Sequence, residues 1–164
     1  MSASASTSSS RALLGLAALC VGLTACSVFL RQGFVEDQPA GRTLVLPAQT
    51  GQHEAQGWTK TMEPTFVQPP GAKYLELRVV LSPHVQAAES YMPTPCDEVV
   101  LGSDAAGGFA APVAYELQGG GREVFVARFA PRILQQFATD DGGDITLCNY
   151  RYRFGGRGLA TLLR

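Results

Sequence analysis

The sequence predicts an all-β fold, a single β-sandwich of jelly-roll or immunoglobulin-like type with one or two short helices. Several runs alternate apolar and polar residues with the two-residue period of half-buried strands. Glycine (18) and proline (10) are plentiful and scattered along the 164 residues, a composition typical of many short elements joined by turns. The sequence shows no internal repeat, which argues against propellers and solenoids.

The clearest strand pattern covers residues 74–81, with the sequence YLELRVVL. Its leucines and one valine recur at every second position and fall on one face, whereas Glu76 and Arg78 fall on the other. This alternation indicates a strand with one face in the core and one in water.

A second strand is predicted over residues 144–154. The residues on its predicted core face are Cys148, Tyr150, Tyr152 and Phe154. Arg151 and Arg153 lie on the opposite face, and the pattern therefore places the Cys148 sulfur at the core, where a disulfide could join two layers.

A hairpin is predicted where two apolar runs, 113–117 and 123–129, flank Gly119–Gly121. Glycine tolerates the positive φ angles of short loops, so this interpretation is preferred to a phosphate-binding loop, which would precede a helix. Weaker strand patterns occur at Thr43–Leu46, Thr65–Val67, Val99–Leu101 and Gly158–Leu163.

Two short helices are predicted. Ser82 and Pro83 have the pattern of an N-cap and a first helical residue before residues 84–91. Pro131–Ala138 has a similar start, with apolar residues at helical spacing.

The N-terminal segment has the features of a secretory signal. After Arg11, residues 12–25 (ALLGLAALCVGLTA) carry no charge. Fourteen residues are too few to cross a hydrocarbon core of about 30 Å, which needs about 20 helical residues. The length fits the apolar region of a signal peptide that ends in a small residue.

The segment Leu23-Thr24-Ala25-Cys26 resembles the lipobox of bacterial lipoprotein precursors. The resemblance implies cleavage before Cys26 and lipid on its thiol, and two or more acyl chains anchor a protein stably. Ser27, where an aspartate would imply inner-membrane retention, favours the outer membrane of a Gram-negative host. The protein would then face the periplasm or the cell surface.

An uncleaved signal anchor in the inner membrane is the alternative. Ser27–Leu30 extends the uncharged run to nineteen residues before Arg31, which is enough to span a bilayer. Arg11 and Arg31 balance, so flanking charge does not decide the orientation. On the lipoprotein interpretation, the predicted organisation is a signal peptide (1–25), a lipidated N-terminus and tether (26–41) and a β-sandwich domain (42–164).

The remaining cysteines predict one disulfide. Cys20 lies in the signal and Cys26 is the lipid site, which leaves Cys96 and Cys148 in an oxidising compartment. Two buried free thiols are the alternative. We predict no metal site, because the sequence lacks a Cys-x-x-Cys pair and its only histidines, at 53 and 84, lie in unrelated segments.

The sequence carries no recognisable catalytic motif. It lacks a Gly-x-Ser-x-Gly elbow, His-Glu-x-x-His, a Walker loop and Ser-x-x-Lys, so we predict no catalytic residues and no cofactor. A net charge of −1 without a basic tract argues against nucleic-acid binding. Asp140, Asp141 and Asp144 could supply oxygen ligands to calcium, but they fit an Asp/Gly turn equally well.

Two features suggest a ligand surface. Tyr150, Arg151, Tyr152 and Arg153 could form an aromatic and basic face for an anionic glycan or a protein partner, or they could belong to an amphipathic strand with buried tyrosines. Trp58, the only tryptophan, could contact a sugar or lie in the core.

The function predicted from these observations is a lipid-anchored, non-enzymatic binding or structural module of the cell envelope, with the membrane and an envelope protein or glycan as partners. A carbohydrate-binding accessory module is the first alternative, on the analogy of other β-sandwiches. The second is a small periplasmic hydrolase that would use His53 or His84 beside an acidic residue and a nucleophile.

Overall fold

The computed structural model describes residues 32–53, 58–83, 96–104 and 107–164. In these ranges the chain forms eleven strands, arranged as two antiparallel sheets, and two α-helices. The strands are β1 (Phe34–Gln38), β2 (Gly41–Val45), β3 (Gln49–His53), β4 (Trp58–Gln68), β5 (Leu75–Pro83), β6 (Glu98–Ser103), β7 (Gly107–Pro112), β8 (Ala114–Gln118), β9 (Arg122–Phe129), β10 (Gly143–Leu147) and β11 (Tyr150–Phe154). The helices are α1 (Pro131–Thr139) and α2 (Gly156–Leu162). The predicted all-β, sandwich-like fold is confirmed.

The larger sheet has the strand order β1-β2-β4-β5-β9-β8. Strand β4 has eleven residues, so it pairs with β3 along its first half and with β2 along its second. The smaller sheet has the order β11-β10-β6-β7. The outer edges of the larger sheet are β1 and β8, and β3, which pairs with β4 alone among the described strands, is a short additional edge. Strands β7 and β11 are the edges of the smaller sheet.

The core lies between the two sheets. Strand β5 has the core face that its alternating sequence predicts, because its leucines and Val79 are at most 1% exposed. Phe66 of the larger sheet meets Phe154 of the smaller one edge-to-face, with 5.6 Å between ring centroids. Tyr152 donates a hydrogen bond across the same space to the carbonyl oxygen of Pro47, at 2.6 Å. Aromatic packing and this bond therefore join the two layers.

The two helices pack against each other and contribute buried residues to the core. Helix α1 begins at Pro131 as predicted, and it buries Leu134 and Phe137. The strand predicted at Gly158–Leu163 is wrong, because these residues belong mainly to helix α2. The buried Leu159 and Leu162 are three residues apart and share a helical face, a spacing that two glycines at the start of the helix obscure.

Two other predictions need correction. Ser82 and Pro83 are the last residues of β5 rather than a helix cap, and residues 84–91, the helix predicted after them, lie outside the described ranges. Strand β1 lies inside the segment assigned to a tether and pairs with β2 from Phe34↔Val45 to Gln38↔Gly41. Residues 34–38 are thus part of the larger sheet.

The glycine hairpin is confirmed, since Gly119–Gly121 forms a 3₁₀ turn between β8 and β9. The single strand predicted at 144–154 is instead the hairpin β10–β11, with Leu147 opposite Tyr150. Cys148 lies in the two-residue turn with φ +51°, not on the core face. The turn shifts the alternation by one position, so odd-numbered residues face the core before it and even-numbered ones after it.

The lipobox, the signal segment and the rival signal anchor all precede Gln32 and lie outside the described ranges. Within those ranges, no helix combines the length and the apolar character needed to cross a membrane.

Candidate functional site

A groove lies on the outer face of the smaller sheet. Because side chains alternate along a strand, Val99 and Leu101 of β6 are buried in the core while Val100 between them faces outward. Val100 is paired with Ala110 of β7 and with Thr146 of β10, and these three form the floor. The cavity above them measures about 590 Å³. It is lined by Cys96, Asp97, Glu98, Val100, Ala110, Ala111, Pro112, Thr146 and Cys148. We call it the disulfide groove.

The predicted disulfide forms one boundary of this groove. Cys96 and Cys148 are joined across 52 positions of sequence, with 5.5 Å between their Cα atoms. The bond connects Cys96, two positions before β6, to the turn between β10 and β11. Both cysteines are half-buried and line the groove, so the disulfide is accessible from it.

The groove has an acidic boundary and a floor of small side chains, one of which carries a hydroxyl. Asp97 and Glu98 are exposed, and the carbonyl oxygen of Asp97 accepts a 3.0 Å hydrogen bond from the backbone N–H of Val113. This bond holds the start of β6 against the residue that joins β7 to β8. Carboxylates accept hydrogen bonds, and the Thr146 hydroxyl can both donate and accept. The groove can therefore hold a small or extended ligand by shape and hydrogen bonding.

Arg151 and Arg153 lie on the same outer face, on the edge strand β11, and both are exposed. Arg151 Nη2 donates to Asp144 Oδ2 at 2.6 Å. This hydrogen bond, together with the negative charge of Asp144, raises the pKa of Arg151 above its ordinary value. Arg151 is opposite Thr146 in register, which places the predicted basic face beside the groove floor.

Tyr150 and Tyr152 are not part of that surface, contrary to the ligand-face interpretation. They are 5% and 0% exposed because they alternate with the arginines and point into the core. Burial raises the pKa of Tyr152 to about 12. The pKa of Tyr150 is raised by burial and then by the negative charge of Glu123.

The other proposed contact residues lie elsewhere. Trp58 begins β4 and is opposite His53 of β3, in the larger sheet. The side chains of both residues, and the whole of His84, fall outside the described part of the chain. The register places Trp58 in the larger sheet, whereas the described lining of the disulfide groove comes from the smaller sheet and its connections.

The three aspartates considered for calcium have different structural roles. Asp140 and Asp141 belong to the turn after α1, where Asp141 has φ +63°, and Asp144 is paired with Arg151. Among the described residues, no group of three or more histidine, cysteine or acidic side chains is placed to hold a metal ion.

A buried ion pair was missed by the sequence analysis. Lys60 Nζ lies 2.5 Å from Glu123 Oε2, and the Tyr115 hydroxyl lies 3.5 Å from Glu123 Oε1. The available signal was the two-residue period of the strand, because Lys60 falls on the same face as the core residues Met62 and Phe66. A charged residue in phase with a core face indicates a buried partner.

No protein-family model, curated protein or solved structure matches this chain. The fold and the groove therefore define its class: an all-β protein of two antiparallel sheets, with a disulfide-bordered groove on the smaller sheet.

Proposed function

We propose that this chain is a lipid-anchored, non-enzymatic binding protein of the bacterial cell envelope, which holds its ligand in the disulfide groove. The observation that carries the binding role is the cavity of about 590 Å³ above Val100, Ala110 and Thr146. Concave sites of a few hundred Å³ with few polar groups are the usual ligand sites of proteins.

The envelope location is supported by the lipobox resemblance at Cys26 and by the disulfide between Cys96 and Cys148. Disulfides form and persist in oxidising compartments outside the cytoplasm. Both features support a location on the non-cytoplasmic side of a membrane, and the absence of Asp after Cys26 favours the outer membrane.

A binding role is preferred to hydrolysis because of the groove's chemistry. Its described lining offers two exposed carboxylates, one hydroxyl and a disulfide, groups that can hold a ligand by hydrogen bonding and shape. A protein or peptide ligand is preferred because the carboxylates of Asp97 and Glu98 and the hydroxyl of Thr146 can form hydrogen bonds with peptide groups.

Site-specific photocrosslinking tests this proposal. A photoreactive benzoyl-phenylalanine would replace Ala110 on the groove floor, or Ala114 on exposed β8 as the matched control, in the full-length protein in a lipoprotein-processing bacterium. We expect a discrete crosslinked species with position 110 that is absent with position 114. Peptides of a second protein in the crosslinked species, found by mass spectrometry, identify a protein ligand, whereas a species that muramidase returns towards the mass of the uncrosslinked protein supports the glycan alternative. Equal products from both positions would reject the groove as the ligand site.

A further inference from the structure

Large apolar side chains are exposed on β1 and β8, the outer strands of the larger sheet. Phe34 on β1 is 60% exposed, while Tyr115 and Leu117 on β8 are 44% and 51% exposed. Single exposed apolar residues are ordinary on protein surfaces, so exposure alone identifies no partner. The two edges differ in their distance along the chain from Cys26.

Phe34 follows Cys26 by only eight positions. A fully extended chain spans at most about 3.6 Å per residue, so Phe34 lies within about 29 Å of the cysteine. Three of the five residues between Cys26 and Gln32 are Val28, Phe29 and Leu30. Large apolar side chains favour the membrane interface over water, and this segment is therefore poorly suited to hold the domain away from a bilayer.

Phe34 is presented by a fixed part of the fold. Strand β1 pairs with β2 along its whole length, beginning at Phe34↔Val45. Just before it, the carbonyl oxygen of Gln32 packs so closely against α2 that a Cβ added at Gly158 would lie 2.3 Å from it. The start of the folded unit, and with it the backbone that carries Phe34, is thus held in one position.

Charge does not provide the attraction at this edge. Glu36 and Asp37 follow Phe34 on the same strand, and carboxylates are repelled by anionic headgroups. The chemistry of the edge is an apolar ring beside acidic residues, which suits a zwitterionic interface rather than an anionic one.

We propose that the β1 edge contacts the bilayer and that the Phe34 ring lies in its interfacial region beside the lipid anchor. This inference rests on the proposed lipidation of Cys26. Strand β8 is the opposite edge of the same sheet, so Tyr115 and Leu117 then face away from the membrane.

Spin labelling of the full-length lipidated protein in phosphatidylcholine vesicles tests the contact. The disulfide occupies Cys96 and Cys148 and the lipid occupies the Cys26 thiol, so an introduced cysteine is the single labelling site. Phe34→Cys is the test variant, and Leu117→Cys, at a similarly exposed position on β8, is the matched control. Circular dichroism of both variants checks that the fold is retained.

The readout is the accessibility of each label to oxygen, which concentrates in lipid, relative to a water-soluble nickel chelate. We expect the oxygen-to-nickel ratio at position 34 to exceed that at position 117 at least about threefold, because one label is interfacial and the other aqueous. Equal ratios in a protein whose Cys26 carries lipid by mass spectrometry would overturn the contact and leave the anchor intact. Cys26 without lipid would overturn the anchor and the contact together.

Discussion

The ammonium group of Lys60 and the carboxylate of Glu123 form an ion pair 2.5 Å apart that spans the strand between them, and both side chains are at most 3% exposed. Lys60 belongs to β4 and Glu123 to β9, so the pair links two strands that flank β5 on the core side of the larger sheet. Burying either charge alone would cost several kcal/mol, which makes each residue dependent on the other.

Removing one member of this pair should destabilise the protein strongly. We expect Lys60→Met to lower the free energy of unfolding by about 3–5 kcal/mol, because it leaves the Glu123 carboxylate buried without its cation. The double variant Lys60→Met/Glu123→Leu should recover most of that loss. Urea titration measures both. The control is Glu76→Gln, which breaks the exposed pair with Arg128 and should cost less than about 1 kcal/mol. Similar small losses for Lys60→Met and Glu76→Gln would contradict the role assigned to the buried pair.

The disulfide should contribute about 2–4 kcal/mol, because it restricts the unfolded chain across 52 positions. The Cys96→Ser/Cys148→Ser variant should therefore melt several to more than ten degrees lower than the wild type. Non-reducing peptide mass spectrometry should recover the linked pair from wild-type protein. A reductant should lower the melting temperature of the wild type and leave that of the variant unchanged. Two free thiols in protein isolated from the periplasm would refute this prediction.

Tyr152 should make stability depend on alkaline pH. Burial raises its pKa to about 12, above the ordinary value of 10.0, so the folded state retains a proton that the unfolded state releases. The resulting stabilisation is complete below pH 10 and is lost as the pH rises from about 10 to 12. Tyr152→Phe should cost about 1 kcal/mol at pH 7, through loss of the bond to Pro47, and this cost should shrink above pH 10. Urea unfolding of both proteins between pH 7 and 11.5 measures the difference between their free energies of unfolding. A difference that stays constant over this range would exclude Tyr152 as the source of the pH dependence.

A helical glycine should resist replacement by alanine. Such a change in a helix ordinarily stabilises by about 0.5–1 kcal/mol. At Gly158 the new methyl group would meet the Gln32 carbonyl oxygen at 2.3 Å and the Leu44 side chain at 2.8 Å. We expect Gly158→Ala to lower the free energy of unfolding by about 1–3 kcal/mol, the usual cost of overpacking. Gly119→Ala, which meets no atom within 4 Å, is the control and should be nearly neutral. A more stable Gly158→Ala protein would show that α2 can shift away from Gln32.

The anchor prediction concerns Cys26. In a lipoprotein-processing bacterium, the wild-type protein should fractionate with membranes and incorporate labelled fatty acid. Cys26→Ser should abolish the labelling and leave a larger, unprocessed species, because it removes the thiol that accepts lipid. Labelling that persists in this variant, or an intact wild-type N-terminus, would favour the uncleaved signal anchor.

Local patterns in the sequence predicted those elements whose burial follows one simple period. Strand β5 and helix α1 each have an apolar set that matches their own geometry. The β10–β11 turn was missed because Cys148-Asn149 contains no glycine to mark it, although Cys148 adopts a positive φ. Helix α2 was missed because its first turn contains glycines, which are poor helix formers but are needed there for close packing.

The candidate site was only partly predictable. The disulfide and the outward placement of Arg151 and Arg153 follow from cysteine count and strand alternation. The groove depends on Val100, Ala110 and Thr146 from three different strands. Their proximity is a consequence of strand order, which no local pattern in the sequence encodes.

The position of β9 next to β5 has a consequence for the order of folding. Their pairing runs from Leu75↔Phe129 to Leu81↔Glu123, so it joins residues that are more than forty positions apart. The β4–β5 hairpin can form early, but the other edge of β5 stays unpaired until β9, a distant segment of the chain, docks against it. Pairing between such distant segments is slow, and an apolar strand edge that is still unpaired is prone to aggregation. The rate at which this protein matures should therefore follow the docking of β9, and variants that weaken the β8–β9 hairpin should accumulate misfolded chains before they reduce the stability of the finished fold.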